Sequence, residues 1–341
     1  MVAILPKRPQ HHLNESLTDS GISRLDTWAM FEPGQKIVVT GGAGFIGSHL
    51  VDRLLRDTQA RIVVLDNLSR GRLANLAAHA SNPRLECVVS DVRDAESVLR
   101  LLQDTAIVYH IAAEWGSDRP AHDSDDMFTT NVVGTLNVLR AAVQQGIERV
   151  VFTSSYEAYG VPVSLPVDEG QPLLAIDFYG ASKAAAEAYC RAFYRLAGLK
   201  TAVLRLSDVY GPRDSGRLVP TWLQRAAAGE DLEVADGRRV IDLVWIGLVV
   251  EALIRAGTLD WPIPPVNVAS GTGTRLIDLA KRIRHLTKGN VPIRVRSHPV
   301  IESARFVASI DRMRHILGIE PGLDPLVELP SLVSTHCAGA R

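Results

Sequence analysis

The sequence predicts a doubly wound parallel α/β sheet followed by a smaller, irregular α/β lobe. Three observations carry that reading. From Gln35 onward, short β-branched runs alternate with longer stretches of helical period, the pattern of βαβ units. The runs are apolar throughout rather than alternating, as expected of strands covered by helices on both faces. The turn after the first run is glycine-rich, where a strand must pass directly into a helix.

Lys36–Thr40 (KIVVT) is the first strand and residues 46 to 56 the first helix. Strands over Arg61–Asp66 (RIVVLD) and Leu85–Ser90 (LECVVS) come next, then a helix over Ala95–Leu102 and a strand over Ala106–Ile111 (AIVYHI). Two long helices span 128 to 145, with Leu136, Leu139 and Val143 in its stripe, and 180 to 197, with Ala185, Tyr189, Phe193 and Leu196. Between them Arg149–Ser154 (RVVFTS) is a strand, and Thr201–Leu206 (TAVLRL) comes after. Beyond residue 206, prolines from Pro212 to Pro325 cut the pattern into short pieces, the mark of a second lobe. Residues 35–206 are therefore assigned to the sheet domain, with a later return near 244–270, and 207–341 mainly to the lobe. Residues 1–34 read as an N-terminal extension, packed through Leu25, Trp28 and Phe31 or standing as a loose arm.

Composition removes several function classes. The 341 residues carry 37 Lys plus Arg against 38 Asp plus Glu, so nothing supplies the basic surface that general nucleic-acid binding needs. The most apolar stretch, Leu243 to Ile254, is interrupted by Glu251 and falls short of the roughly 18 residues that span a bilayer. No apolar core of a secretory signal comes after Lys7 and Arg8. The 3 cysteines are widely separated, which suggests neither a disulfide framework nor a metal site and fits a reducing cytoplasm. The 10 histidines include no HExxH, and no GxSxG elbow marks a serine hydrolase.

Two constellations carry chemistry. The first is Thr40-Gly41-Gly42-Ala43-Gly44-Phe45-Ile46-Gly47, between a strand and a helix. Glycine permits the tight turn and lets backbone N–H groups approach a pyrophosphate at the helix's positive end. Asp66 ends a strand 19 residues after Gly47, where a carboxylate accepts the adenosine ribose hydroxyls and repels a 2′-phosphate, so the expected cofactor is NAD rather than NADP. Arg70 and Arg72 nearby would soften that preference. Asp91 reads either as a partner for the adenine amino group or as the cap of the next helix. The second constellation is Tyr179-Gly180-Ala181-Ser182-Lys183, with Tyr and Lys on one helical face. A close ammonium favours the phenolate and pulls the tyrosine down from about 10, which makes Tyr179 a candidate base. Ser154-Ser155 closes a strand 24 residues upstream of Tyr179 and offers a hydroxyl.

Together these residues resemble the extended short-chain dehydrogenase/reductases, the sugar-nucleotide epimerases, dehydratases and decarboxylases, over about residues 36 to 320. The matching pieces are the glycine loop, Asp66-Asn67-Leu68, Asp91-Val92, His110-Ile111-Ala112-Ala113, Asn131 before Gly134-Thr135, Ser154-Ser155 before Tyr159-Gly160, Tyr179 with Lys183, Arg205 through Tyr210-Gly211-Pro212-Arg213, and Leu317-Gly318. The resemblance implies a Rossmann sheet, NAD held by the glycine loop with Phe45, Ile46, Asp66, Asn67, Asp91, Val92, Ala112, Ala113, Asn131, Tyr179 and Lys183, and a homodimer formed through the two long helices. Tyr179 is implied as base, with Lys183 tuning it and Ser155 orienting a sugar hydroxyl. The implied substrate is a nucleotide-diphosphate sugar oxidised transiently at C4, met by Glu114, Ser155, Tyr156, Asp208, Arg213, Val219, Arg239 and Arg305.

The step after C4 oxidation separates the subfamilies. A 4-epimerase, of the UDP-glucose or uronate type, needs only Ser155, Tyr179 and Lys183 and is the leading expectation. Glu157 resembles the extra base of the 4,6-dehydratases and UDP-glucuronate decarboxylases, or is a solvated loop acid. Ala112-Ala113-Glu114 with Asp118-Arg119 also resembles a dehydratase segment. Against elimination, Tyr156 stands where dehydratases carry an acid, and Trp115 and Gly116 replace polar residues. Ile241 stands where an arginine normally grips the diphosphate; Arg239, two residues before it, is the expected substitute over Arg238, and Arg305 or Arg296 would stand in for the family's second arginine, usually in an RxGD turn, which has no clear match near Pro299–Glu302. A noncatalytic NAD-binding protein is the third reading, since fold alone does not establish activity.

Overall fold

The computed structural model describes residues 31–115, 124–259, 263–288, 290–296 and 305–337. Leu25, Trp28, Gly116, Asp118 and Arg119 lie outside them. Phe31, at the inner edge of the extension, is buried in the main core.

The chain opens with β1 (Lys36–Thr40), α1 (Phe45–Asp57), β2 (Arg61–Asp66), β3 (Leu85–Val89), α2 (Ala95–Leu101) and β4 (Thr105–His110). Next come α3 (Ser124–Met127), a π-helical stretch (Phe128–Val133), α4 (Gly134–Gln144), β5 (Arg149–Ser155), α5 (Phe178–Ala197) and β6 (Lys200–Leu206). These strands and β10 (Val266–Val268) form one seven-stranded sheet in the order β10-β6-β5-β4-β1-β2-β3, parallel throughout. Both faces are covered. Ile37 and Val39 enter one core with Leu50, Leu54, Val249 and Leu253, whereas Val38 enters another with Val98, Val138, Leu139 and Ala186. Continuous apolar strands with β-branched side chains are the local sequence that such a doubly covered sheet requires.

One strand departs from the expectation of two dry faces. β3 is the sheet edge, and Glu86, Cys87 and Val89 are exposed along it, because among the described residues no further strand covers that side. The long helix expected over 128–145 begins earlier, at Ser124, and passes through the π-helical stretch before α4.

The second lobe is assembled from β7 (Asp208–Tyr210), α6 (Leu218–Ala227), β8 (Leu232–Val234), β9 (Val240–Trp245), β11 (Gly273–Arg275), α8 (Leu276–Leu286), β12 (Ile293–Val295) and α10 (Leu329–Cys337). Its sheets are β11-β9-β7 and β12-β8, packed on a core of Val219, Trp222, Leu243, Leu279 and Ile283. Between β9 and β10 the chain returns to the main domain as α7 (Ile246–Thr258), whose Val249, Leu253 and Ile254 are fully buried there. α9 (Asp311–Leu317) closes the same side through Met313.

A buried polar network joins the elements that meet under the cleft. Arg205 on β6 donates to both carboxylate oxygens of Glu187 on α5, at 3.0 and 2.7 Å, and to the Tyr159 hydroxyl at 2.9 Å. Ser154 on β5 donates to the same carboxylate, and Tyr159 donates to Asn267 on β10 at 2.7 Å. Removing one member leaves the opposite charge buried and unpaired, at a cost of about 3–5 kcal/mol, whereas an apolar pair of similar volume is close to neutral. Urea unfolding should therefore show Glu187→Ala destabilised by about that amount, with Glu187→Leu/Arg205→Met recovering most of it. Equal losses in the two variants would refute the account.

Candidate active site

A cleft of about 1140 Å³ lies over the carboxyl ends of the parallel strands, where the strand order reverses between β1 and β4 and a doubly wound sheet leaves its crevice. Its floor is the glycine turn. Gly41 has φ +71°, and a Cβ there would fall 2.7 Å from the Ala112 backbone nitrogen; a Cβ on Gly47 would fall 2.1 Å from the Gly41 carbonyl oxygen. Strand, turn and helix thus touch at backbone distance. Gly44 caps α1 without a side chain, so the first-turn N–H groups of Phe45, Ile46 and Gly47, which lack intrahelical acceptors, open on the cleft lining. Asp66, at the end of β2, is buried beside them and accepts from the Ala43 and Leu68 nitrogens at 3.0 and 2.9 Å. A cradle of bare N–H groups at a helix N-terminus, followed by a carboxylate, fits the pyrophosphate and ribose of a dinucleotide. Asn67, Val92, Ala112 and Ala113 also line it.

The opposite wall holds the reactive side chains. Ser155 ends β5; its hydroxyl accepts from the Glu157 nitrogen and donates to the Glu157 carboxylate, both at 3.2 Å. Tyr179 sits in the first turn of α5, which Asp177 caps by accepting from the Gly180 nitrogen at 2.7 Å. Gly180 is required here: a Cβ would lie 2.3 Å from the Glu157 carbonyl oxygen, so only glycine lets α5 approach the turn that carries Glu157. Lys183, one helical turn on, is buried and donates to the Thr153 carbonyl at 2.9 Å. Ser155, Glu157, Tyr179 and Lys183 all line the cleft.

Burial dominates the electrostatics. It brings Lys183 down to about 8 and pushes Glu157 up to about 7, with Asp177 and Asp208 adding to the latter. Tyr179 is raised above its ordinary value, first by burial and then by Glu157, which reverses the lowering expected from Lys183. The ammonium lies 5.7 Å from the Tyr179 ring centroid and 4.9 Å from that of Phe152. The cation that does favour the Tyr179 phenolate is Arg217.

Several expected contacts fall elsewhere. Asp91 is not in the cleft lining; Arg93 and Asn67 hold it at 2.8 and 2.9 Å and keep its carboxyl down at about 2. Nor does it cap α2, since Asp94 does so by accepting from Glu96 and Ser97. Asn131 is buried behind the cleft, exchanging hydrogen bonds with the Glu114 backbone at 2.8 Å and donating to Ser182 at 2.9 Å, so it shapes the wall without lining it. Val219 packs into the lobe core, leaving Leu218 on the surface of the cleft. Arg305 is exposed, bridges to Val240 and is absent from the lining. Glu157 is largely buried rather than a solvated loop acid. Glu114 and Arg213 line the cleft but are engaged, Glu114 with Arg70 at 3.0 Å and Arg213 with Asp52 at 2.7 Å.

Tyr156, Asp208 and Arg239 line the cleft together. The Tyr156 hydroxyl donates to Asp208 at 3.4 Å and its ring packs on Phe306 at 4.5 Å. Asp208 is raised by burial against the pull of Arg239 and Arg217. Arg217 was not among the residues the sequence singles out, because it stands alone in an irregular loop just before α6; its one advance signal is its place beside the Val219-Pro220 helix start. His110 bridges Thr40 and Thr135 at 2.7 and 2.9 Å and is driven down to about 3 by burial. No group of residues able to hold a metal ion occurs among the described residues, and none of their helices is long and apolar enough to cross a membrane.

The close approach at Gly47 yields a direct test. Gly47→Ala must push the Gly41 carbonyl away and deform the cradle, so dinucleotide affinity, read by titration calorimetry, should fall by roughly tenfold or more, about 1.4 kcal/mol. Unchanged affinity in a folded variant would mean that the glycine turn does not hold the pyrophosphate.

Comparison with known proteins is consistent with this geometry. The NAD dependent epimerase/dehydratase family pattern matches residues 37–268. A UDP-glucose 4-epimerase of Mycolicibacterium smegmatis is 33% identical over 295 residues, 84% of this chain and 93% of the relative. UDP-glucuronic acid decarboxylase 6 of Arabidopsis thaliana is 30% identical over 300 residues, 85% of each chain. The crystal structure of UDP-glucose 4-epimerase from Thermotoga maritima with UDP-glucose superposes with a TM-score of 0.83 at 28% identity, covering 90% of this chain and 100% of that one. The chain therefore belongs to the NAD-dependent epimerase/dehydratase family, with NAD as its cofactor.

Proposed function

We propose that this enzyme is a nucleotide-sugar 4-epimerase. The observation that supports the reading is the set Ser155, Tyr179 and Lys183 on one wall of the cleft, facing the dinucleotide cradle, with Tyr156 drawn aside to Asp208 and Phe306. NAD, when bound, supplies a hydride acceptor and donor. Tyr179 takes the proton from the sugar C4 hydroxyl and returns it, Ser155 orients that hydroxyl, and Lys183 anchors the wall through Thr153 and binds the cofactor side. Arg217 offsets part of the burial that disfavours the Tyr179 phenolate. Glu157, tied to Ser155, fixes the serine rotamer. A nucleotide-diphosphate sugar is the substrate class.

The second reading, a 4,6-dehydratase or UDP-glucuronate decarboxylase, is favoured by the Glu157 carboxyl held near 7 in the cleft, where a base for a second step would be poised. Products from UDP-, TDP-, GDP- and CDP-hexoses and hexuronic acids separate the two. Epimerisation gives an isomer of unchanged mass, with Tyr179→Phe slower by roughly 10²–10⁴ and Glu157→Gln retaining most activity because the amide still accepts from Ser155. Loss of water or carbon dioxide, with a rate that rises with pH through about 7 as Glu157 loses its proton and a Glu157→Gln variant that is inactive, would establish the lyase. Failure of every sugar to react would return the noncatalytic reading.

A homodimer through α4 and α5 is part of the proposal. Leu196 is 89% exposed, and Phe178, Tyr189, Val143 and Phe128 join it in leaving large apolar side chains uncovered on neighbouring helices, as a second copy would require. Sedimentation should give a dimer for the protein and a monomer for Tyr189→Glu/Leu196→Glu; a monomeric parent protein refutes it. Cys87 and Cys190 are free thiols, which suits the reducing cytoplasm expected from the sequence.

A further inference from the structure

In the sheet β1 lies between β4 and β2, so the glycine turn at its carboxyl end is flanked by the segments that follow those two strands. Both segments are pinned to the turn. After β2, Gly71 lies so close on Asp66 that a Cβ would fall 2.6 Å from its Oδ1, and the Arg72 nitrogen and the Asn75 amide donate to the Ala43 carbonyl at 3.0 and 2.9 Å. After β4, the Ala112 nitrogen donates to the Thr40 hydroxyl at 3.2 Å, and Asn131 fixes the Glu114 backbone through both its N–H and its carbonyl.

Arg70 crosses from the first segment to the second. Its Nε and Nη2 donate to the Glu114 carboxylate at 3.2 and 3.0 Å, Nη2 donates to the Trp115 carbonyl at 2.9 Å, and the guanidinium lies 4.4 Å from the Trp115 ring centroid. The same ring holds a guanidinium of the lobe, that of Arg217 at 5.0 Å, which lies 5.9 Å from the ring of Phe45 at the start of α1. Contacts thus run from the end of β2 across the end of β1 to the end of β4, and on through the lobe to the first turn of α1. The planar guanidinium of Arg70 donates at its edge while its face meets the indole, a combination that an ammonium does not reproduce. Arg70, Glu114, Trp115 and Phe45 all line the cleft, whereas the cradle beneath is already shaped by the backbone contacts of Gly41 and Gly47.

We infer that Arg70, bonded to Glu114 and stacked on Trp115, is a latch across the cofactor cradle, and that NAD enters and leaves only when this bridge opens. Arg70 and Trp115 are then cofactor-retaining residues rather than ligands: they act on the rate of exchange more than on affinity, as a gate does. Such a latch keeps the reduced cofactor in place between the two halves of the proposed epimerisation. The inference itself rests on NAD as the cofactor and not on the identity of the sugar.

Cofactor exchange on the full-length protein tests it. Protein loaded with radiolabelled NAD is chased with unlabelled NAD to read release, and cofactor-stripped protein is mixed with NAD to read entry. Arg70→Ala and Trp115→Ala should each release NAD roughly tenfold faster or more and also take it up faster, so that the dissociation constant changes by less than the release rate. Arg70→Lys and Trp115→Phe should fall between the alanine variants and the unsubstituted protein. The Arg70 side chain is 39% exposed, so raising salt from about 50 to about 500 mM should speed release from the unsubstituted protein and leave Arg70→Ala little changed. Melting temperature checks folding. Unchanged release in either alanine variant overturns the latch. So does faster release with entry unchanged or slowed, which would make these side chains direct ligands of the dinucleotide. The chase contains no sugar, so failure of the epimerase reading leaves its outcome intact.

Discussion

The site depends on α5 being held at fixed depth and rotation against β5 and β6, and the Arg205–Glu187 pair does this. The two side chains meet in a bidentate bond, each with only 6% of its surface exposed, while Ser154 and Tyr159 satisfy their remaining valences. Glu187 lies one helical turn beyond Lys183, and Ser154 immediately precedes Ser155. A rotation of α5 that moved Tyr179 away from Ser155 would have to break this network, leaving charge unpaired in the interior. The chemistry is therefore positioned by an interaction that does not itself face the cleft. Gly180 performs the complementary task at the start of the helix, letting the Tyr179 turn close on the Glu157 carbonyl.

With geometry held this tightly, burial sets the proton affinities. The cleft wall withdraws Tyr179, Lys183, Glu157 and Asp208 from water, and in each case the neutral form gains. Counting charges along the sequence captures only the second contribution, the pull of a neighbouring ion. Lys183 illustrates the difference. Its spacing from Tyr179 is what the sequence implies, yet its ammonium donates to the Thr153 carbonyl and its own charge is disfavoured by the same burial.

The architecture was legible because its signals are local and repeated. KIVVT and RIVVLD are strands at the residues expected, since an apolar β-branched run bounded by polar residues has few alternatives. The glycine turn was legible because backbone contact at Gly41 and Gly47 tolerates no Cβ. The features that escaped depend on tertiary placement. Nothing local to Asp91 says that Arg93 folds back on it, or that Asp94 rather than Asp91 caps the helix. Nothing local to Val219 separates it from Leu218, though one enters the core and the other the cleft. Arg217 gains its meaning only from Phe45 and Trp115, which are more than a hundred residues away in the chain.

The balance between reversible oxidation and elimination turns on what surrounds the sugar beyond C4. Elimination needs both a base at one carbon and an acid at the departing hydroxyl. Glu157 has the proton affinity for the first task, but its carboxylate already receives the Ser155 hydroxyl, the group proposed to orient the sugar hydroxyl. Tyr156 occupies the place of the second, yet its hydroxyl is directed to Asp208 and burial raises it well above its ordinary range, so it is a weak acid. Asp208 is the other protonatable group beside it, and burial raises it against the pull of Arg239 and Arg217, so it holds a proton more readily than a free carboxyl. The wall therefore sets a carboxyl shared with Ser155 beside two proton donors of different strength, Tyr156 and Asp208, and which of these meets the sugar beyond C4 decides whether the hydride simply returns at C4 or a second bond is cleaved.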